Sequence, residues 1–298
     1  MNKPTFTGVV QFVHPGQEHK STKNGWQGWT FDRHARKFML SNGNWIDSNS
    51  KLHSGEFTFW GEWEAQSEII STAPSKQGLP RNIVIPRFGG AIDQVDSLMN
   101  TDPYVFGDQF KYTLCKQSMR SGSSTYLSRL TPGTLILFGS VVNGYFTLDT
   151  ALVVGNSTLK HSRSTWEHEI SSSLTETYKE VTMKPMYWDK YVPDEVTYSL
   201  YSGATPSSPI NEMYSFFPCL PCESGKPLRF ARPVINLEGV INHASKQAPK
   251  GTAGDSEMIK KCWTSVVEQV RAQGLSLGVH AVEPVMTAIP ESLRQPRR

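Results

Sequence analysis

Residues 55–67 read GEFTFWGEWEAQS and place two tryptophans and two glutamates within five positions, 60 to 64. Side chains of a strand alternate between its two faces. Phe57, Phe59, Gly61, Trp63 and Ala65 then share a core face, while Thr58, Trp60, Glu62, Glu64 and Gln66 share the other. Side chains on one face repeat at about 6.6 Å, so an indole and two carboxylates can line one wall of a groove. Such a wall suits a planar, amine-bearing ligand. A base stacks on an indole for about 1–3 kcal/mol, and a carboxylate accepts from an exocyclic amine such as cytosine N4. The same pattern equally fits the solvated face of a barrel strand.

Three other stretches carry chemistry-bearing residues. HPGQEH (14–19) pairs His14 with Glu18, a couple suited to general acid–base work. It has one residue too many for an inverted zincin motif, and Pro15-Gly16 would break the helix that motif needs. A turn after the first strand is expected there instead. FDRHARKF (31–38) sets Arg33, His34, Arg36 and Lys37 between phenylalanines; Arg33, Arg36 and Lys37 can contact a phosphate backbone or form a solvated face. Cys219-Leu-Pro-Cys222 has the spacing of half a zinc site but lacks a second pair. No resident metal or cofactor is expected; Cys219 and Cys222 are the candidate ligands, with Cys262 and His243 as possible partners at unremarkable sequence distances. The chain has no GxGxxG, Walker, GxSxG or kinase signature, which argues against the common dinucleotide, NTPase and hydrolase classes.

The totals describe a globular chain. It has 298 residues, 38% hydrophobic and 19% charged, with a net charge of +3. That balance permits a nucleic-acid partner but supplies no strong electrostatic footprint. No apolar leader opens the sequence and no run reaches the length of a membrane span, and four cysteines are too few for a disulfide framework. A cytoplasmic protein without membrane attachment is the expectation.

The elements that must position these residues are mostly strands. Thr5–Val13, Arg36–Leu40 and the tryptophan-rich stretch are extended, and Thr134–Gly155 is a hairpin turning at Asn143-Gly144. Met258, Ile259, Cys262, Trp263, Val266, Val267 and Val270 recur at helical spacing between a cap at Asp255 or Ser256 and a stop at Gly274. GLSLGVHAV follows as a strand, and ESLRQPRR is read as a frayed tail. With no alternating βαβ rhythm, the fold class expected is α+β: a β-rich, partly closed barrel with attached helices and a C-terminal extension. The expected organisation is a barrel core over 1–160, a Ser/Thr-rich insertion or linker over 161–212, and an α+β segment over 213–298 packing on the core.

Residues 102–154 add an ordered constellation: DPYVFGDQFKYTLCKQSM, then YLSRLTPGTLILFGS, then FTLDTALVV. An aromatic loop, Cys115-Lys116-Gln117, a Pro-Gly turn, a strand ending at Gly139-Ser140 and a return strand with Asp149 resemble the PUA-like superfamily of ASCH and EVE domains. The pattern is most similar to bacterial nucleotide-modification-associated domains, with Gly133-Thr134 where those more often have Gly-Asp. The resemblance implies a PUA-like barrel holding a modified base or nucleotide. Asp102, Tyr104, Lys116, Ser140 and Asp149 would border its pocket, beside Trp60, Glu62 and Glu64. Each also has a structural reading: Asp102 as a turn opener, Cys115 as a small buried hydrophobe, Asp149 as a partner of Lys116 or Arg129.

Three functions follow as expectations. The first is a binding module for a modified base, nucleotide or nucleic acid in a bacterial defence or DNA-modification system. The second is a nucleotide- or nucleic-acid-processing enzyme using His14 with Glu18, Glu62 or Asp102. The third is a docking subunit for a protein of the same operon, for example a type III CRISPR locus. Whether the chain is an enzyme is left open, with binding ranked first.

Overall fold

Asn143 and Gly144 turn the chain with φ of 51° and 82°, the paired left-handed values a type I′ hairpin requires. The computed structural model of the protein describes residues 4–19, 24–89, 97–119, 121–188, 192, 194–244 and 249–293. In chain order the strands are β1 (Gly8–Val13), β2 (Trp26–Gln27), β3 (Lys37–Ile46), β4 (Leu52–Gly61), β5 (Ser67–Thr72), β6 (Asn82–Pro86) and β7 (Lys111–Tyr112). Then come β8 (Leu135–Val142), β9 (Tyr145–His161), β10 (Tyr198–Gly203), β11 (Phe217–Pro221), β12 (Lys250–Ala253) and β13 (Ser276–Ala281).

They form two sheets. One runs β12-β1-β8-β9-β10-β7, and the other β13-β11-β4-β3-β6-β5-β2. In the second, β13 pairs with both β11 and β3, which closes β3, β4, β11 and β13 into a four-stranded barrel. The closing seam is tight. A Cβ on Gly43 would lie 2.0 Å from the His280 carbonyl oxygen, so the register there depends on a missing side chain. The α+β barrel with attached helices is thus the observed architecture.

Aromatic rings fill the barrel: Phe57, Phe59, Trp63, Phe106 and Phe217 are all buried. A second apolar cluster lies on the other face of the first sheet, under the helix Ser256–Ala272. That helix buries Ile259, Val266, Val267 and Val270, starts where Asp255 accepts from the Met258 N–H at 2.9 Å, and stops before Gly274 at φ 76°.

Two local expectations change. Strand β4 ends at Gly61, so strict alternation does not extend to Glu62 and Glu64. The Ser/Thr-rich stretch is not a free linker throughout. Residues 166–188 form short helical turns that bury Trp166, Tyr178, Val181 and Met183 in the main core, and β10 pairs with β9. The last five residues of the basic tail lie outside the described residues.

Candidate active site

Strand register gathers the site. Parallel pairing of β1 with β8 sets Val13 opposite Gly139, so His14 leaves the strand end beside Ser140; its N–H donates to the Gly139 carbonyl at 2.8 Å. Antiparallel pairing sets Lys37 opposite Gly61, which brings Arg36 next to Glu62. In the β8–β9 hairpin Phe138 pairs with Thr150 and Gly139 with Leu148, leaving Asp149 as the extra residue of a β-bulge. Bulges re-aim side chains, and this one points Asp149 at Arg36.

Glu62 stands at the centre. Its Oε2 lies 2.9 Å from His14 Nδ1 and accepts from Arg36 Nη1 at 2.9 Å, while Oε1 lies 2.7 Å from His34 Nδ1. The same His34 nitrogen meets Glu64 Oε1 at 2.7 Å, and Arg36 Nε donates to Asp149 Oδ2 at 2.8 Å. His14, Arg36, Glu62, Glu64 and Asp149 are buried, whereas the His34 side chain keeps 17% exposure. On the far side of His14, Nε2 lies 3.3 Å from Cys115 Sγ. The 2.9 Å approach of Nδ1 to Glu62 Oε2 is a close polar contact outside hydrogen-bond geometry. The tautomer with its proton on Nδ1 leaves Nε2 as the acceptor and the thiol as the donor.

The Cys115 loop is held rigidly. Asp102 is buried and accepts from the N–H groups of Thr113 and Cys115, both at 2.9 Å, and the Tyr112 hydroxyl donates to the Cys115 carbonyl at 2.7 Å. Lys116 follows with a φ of 61°. Three contacts, two of them on the peptide units either side of Cys115, fix where the sulfur sits, while the side chain remains partly exposed.

Charge states follow from burial and neighbours. Burial drives the His14 imidazole down to about 4 despite Glu62, so it is neutral near pH 7. Burial pushes the Cys115 thiol well up, with Asp102 and Glu62 adding to the effect. Burial also opposes charge on His34, but Glu62 and Glu64 outweigh it and lift the ring to about 10. Glu62 would be raised by burial, yet His14, His34 and Arg36 hold it well below the usual carboxylate range. The resting pair is therefore a thiol beside a neutral base, and His34 is a fixed imidazolium. Burial raises Asp102 to about 7, against the two N–H groups it accepts from.

The sequence-derived candidates divide. Glu62, Glu64, Ser140 and Asp149 join the cluster with His14, and Asp102 supports it from the Cys115 loop. Ser140 meets the network through Arg232, whose Nη1 lies 3.0 Å from Ser140 Oγ and 3.9 Å from Asp149 Oδ1. Asp149 is thus partnered by Arg36 and Arg232, not by Lys116 or Arg129. Lys116 is half-buried, its ammonium 5.6 Å from the Phe12 ring centre.

Others do not serve as proposed. The Trp60 ring is buried, donates to the Phe230 carbonyl at 3.0 Å, and carries Arg232 over its face at 4.5 Å, so no ligand ring can stack there. Tyr104 is fully buried, edge-on to Phe106 and Tyr178, with its hydroxyl donating to Glu283. Glu18 is no partner of His14, because its carboxylate accepts from the N–H groups of Arg81 and Asn82. Arg36 and Lys37 are buried and cannot meet a phosphate backbone; Lys37 donates to Ser67 Oγ at 3.0 Å, and burial lowers it to about 7. Arg33 alone of that trio is exposed.

Cys219 is buried in β11, and Cys222 is half-buried after it. Among the described residues the His, Cys and carboxylate group compact enough to share a cation is His34, Glu62 and Glu64, with donor atoms within 4.8 Å. There the His34 nitrogen itself already bridges the two carboxylates. A separate groove of about 1120 Å³ is lined by Lys111, Ser157, Thr175, His280 and Glu283 among others, and none of the sequence-derived candidates borders it.

Sequence reasoning missed three members. Cys115 belongs to the 102–154 constellation, but nothing in its neighbourhood distinguishes a nucleophile from a small buried hydrophobe. His34 sat in a run judged by its positive charge, and Arg232 had no local signal. Comparison with protein-family models, curated proteins and solved structures gives no match.

Proposed function

We propose that the protein is a thiol-dependent acyl-transfer enzyme, with Cys115 as nucleophile, His14 as general base and Glu62 as the group that orients the imidazole. One observation carries the reading: Cys115 Sγ, His14 Nε2, His14 Nδ1 and Glu62 Oε2 follow one another at 3.3 Å and 2.9 Å across the ring. A nucleophile within reach of a base that is itself oriented by a carboxylate is the arrangement covalent catalysis requires.

The steps use these groups in order. His14 Nε2 takes the thiol proton as sulfur attacks the carbonyl carbon, and Glu62 stabilises the imidazolium formed. The tetrahedral intermediate collapses, His14 gives its proton to the leaving group, and a thioester remains. Water, deprotonated by His14, then attacks the thioester; collapse releases the acid and returns the proton to sulfur. Arg36 keeps Glu62 ionised throughout, and Asp102 keeps the sulfur in place. Neutral at rest, His14 keeps a lone pair on Nε2 to receive the thiol proton.

A base-stacking module is less well supported, since the ring faces of Trp60 and Tyr104 are both covered. The order of residues 102–154 leaves a nucleotide-bearing substrate as a choice for the first panel. The direct test is alkylation of Cys115 by iodoacetamide at pH 7.5, read by peptide mass spectrometry. Cys115 is expected to react at least about 10-fold faster in the native protein than in His14→Ala, within the range of general-base effects, with Cys222 and Cys262 unchanged. Equal Cys115 rates in the two proteins end the proposal.

A further inference from the structure

Glu62 carries two imidazoles, one on each oxygen: His14 Nδ1 at 2.9 Å from Oε2 and His34 Nδ1 at 2.7 Å from Oε1. The rings are stacked, 13° from parallel with centres 5.4 Å apart. In each ring Nε2 lies on the edge away from Nδ1, and for His14 that edge meets the Cys115 sulfur at 3.3 Å. The parallel ring of His34 carries its own Nε2 edge away from the shared carboxylate. His34 is also the member of the stack that reaches solvent, with 17% of its side chain exposed.

One ring nitrogen lying 2.7 Å from oxygens of two carboxylates is the arrangement of a cation held in place. Each carboxylate directs one oxygen at the ring; the other oxygen of Glu62 accepts from Arg36, and Glu64 Oε2 is buried without a hydrogen-bond partner. The N–H left over is Nε2–H, a charged donor on the ring of the pair that keeps solvent exposure. Lys116, adjacent to the nucleophile, adds a second positive charge; its ammonium sits over Phe12, which packs edge-on to His14 at 4.7 Å.

From this geometry we infer that His34 is an anion subsite beside the thiol, so that the substrate carries a carboxylate or phosphate group close to its reacting carbonyl. The inference rests on the thiol reading and narrows it to a substrate class. Glu62 thereby serves two rings with different tasks: it steers the base through one oxygen and charges the anchor through the other.

The test compares two alkylating reagents that differ in charge, iodoacetate and iodoacetamide, at Cys115. In both, sulfur displaces iodide and the thiol proton is lost, so the ratio of rates cancels the reactivity of the thiol itself. The ratio at Cys115 is expected to exceed that of N-acetylcysteine by about five-fold or more, as one nearby positive charge would give. His34→Gln is expected to lower the ratio toward the free-thiol value, a comparison that holds whatever the variant does to the iodoacetamide rate itself. Lys116→Gln separates the contribution of the second cation. If His34→Gln does not fold, inorganic phosphate on the native protein decides: it is expected to slow iodoacetate more than iodoacetamide.

A native ratio equal to that of free thiol, or a ratio unchanged in His34→Gln, overturns the subsite. In the fallback, phosphate slowing both reagents alike or neither overturns it equally. The two readings fail separately. Loss of the His14 effect on iodoacetamide removes the catalytic base but leaves the charge preference standing, and loss of the charge preference leaves the base untouched.

Discussion

Arg36 and Asp149, 113 residues apart, share a buried hydrogen bond of 2.8 Å that ties the start of β3 in one sheet to the bulge of β9 in the other. The same guanidinium holds Glu62 at 2.9 Å. Two buried carboxylates therefore share this cation, with His34 beside Glu62 and Arg232 beside Asp149 as their other positive neighbours. Replacing Arg36 by Met leaves both short of charge, and removing one partner of such a network costs about 3–5 kcal/mol. Urea denaturation of Arg36→Met is expected to show a loss of that size; a change below about 1 kcal/mol would mean the network carries little stability.

Asp102 binds two peptide N–H groups at 2.9 Å, and an amide in its place can accept only on its oxygen. Asp102→Asn should leave a buried donor facing another donor, at about 1–3 kcal/mol. Because one of those peptides belongs to Cys115, thiol alkylation should lose its dependence on His14 in this variant. Thermal unfolding and the iodoacetamide rate measure the two effects independently.

The pH dependence follows from His34. Its folded-state pKa is raised from 6.5 to about 10, so the stability it contributes is complete below the unfolded value and is lost as pH rises through about 10. Glu64→Gln removes one of the two carboxylates that raise it, so that loss should come earlier and be smaller. Lys37 acts in the opposite sense over the alkaline range, since burial lowers it to about 7 against Glu64. Losing Glu64 strengthens that opposing contribution, which shifts the difference between the two proteins in the same direction as His34 does. Melting temperatures from pH 7 to 10 are expected to fall more for the native protein than for Glu64→Gln. Parallel curves would contradict the assignment of the charge to His34.

Gly43 marks the barrel seam. A methyl group there would meet the His280 carbonyl at 2.0 Å, and neither backbone can yield without breaking the β3–β13 pairing. Gly43→Ala should cost about 1–3 kcal/mol, as overpacking of a well-fitted site does. Hydrogen exchange should locate the damage at residues 43–46 and 276–281, with the β8–β9 hairpin unaffected.

Much of the scaffold was legible because it rests on local periodicity. The Asn143-Gly144 turn, the capped helix after Asp255 and the burial of Phe57, Phe59 and Trp63 all follow from patterns of a few residues. The site is different. His14 and Cys115 are 101 positions apart, and the sheet order that joins them cannot be read from either neighbourhood. Strand alternation carried Trp60 correctly to the face opposite Phe59, but what covers that face is Arg232, from a segment with no signal of its own. Glu62 and Glu64 lie beyond the strand end, where the period of two no longer governs direction. Charge in Arg36 and Lys37 pointed outward by habit of composition, whereas each is enclosed by polar partners that only the tertiary fold supplies.

The barrel also has a temporal consequence. Its ring runs β3, β4, β11, β13, and the last member, residues 276–281, pairs directly with residues 43–46. During synthesis β3 and β4 can form their hairpin early, yet the ring cannot shut until residue 281 has left the ribosome. Until then the phenylalanines of β4 face an open trough, and the nascent chain is at its most prone to association. Chaperone dependence should therefore track how far translation has progressed toward β13, and a pause placed just upstream of it should lower soluble yield more than one placed after it.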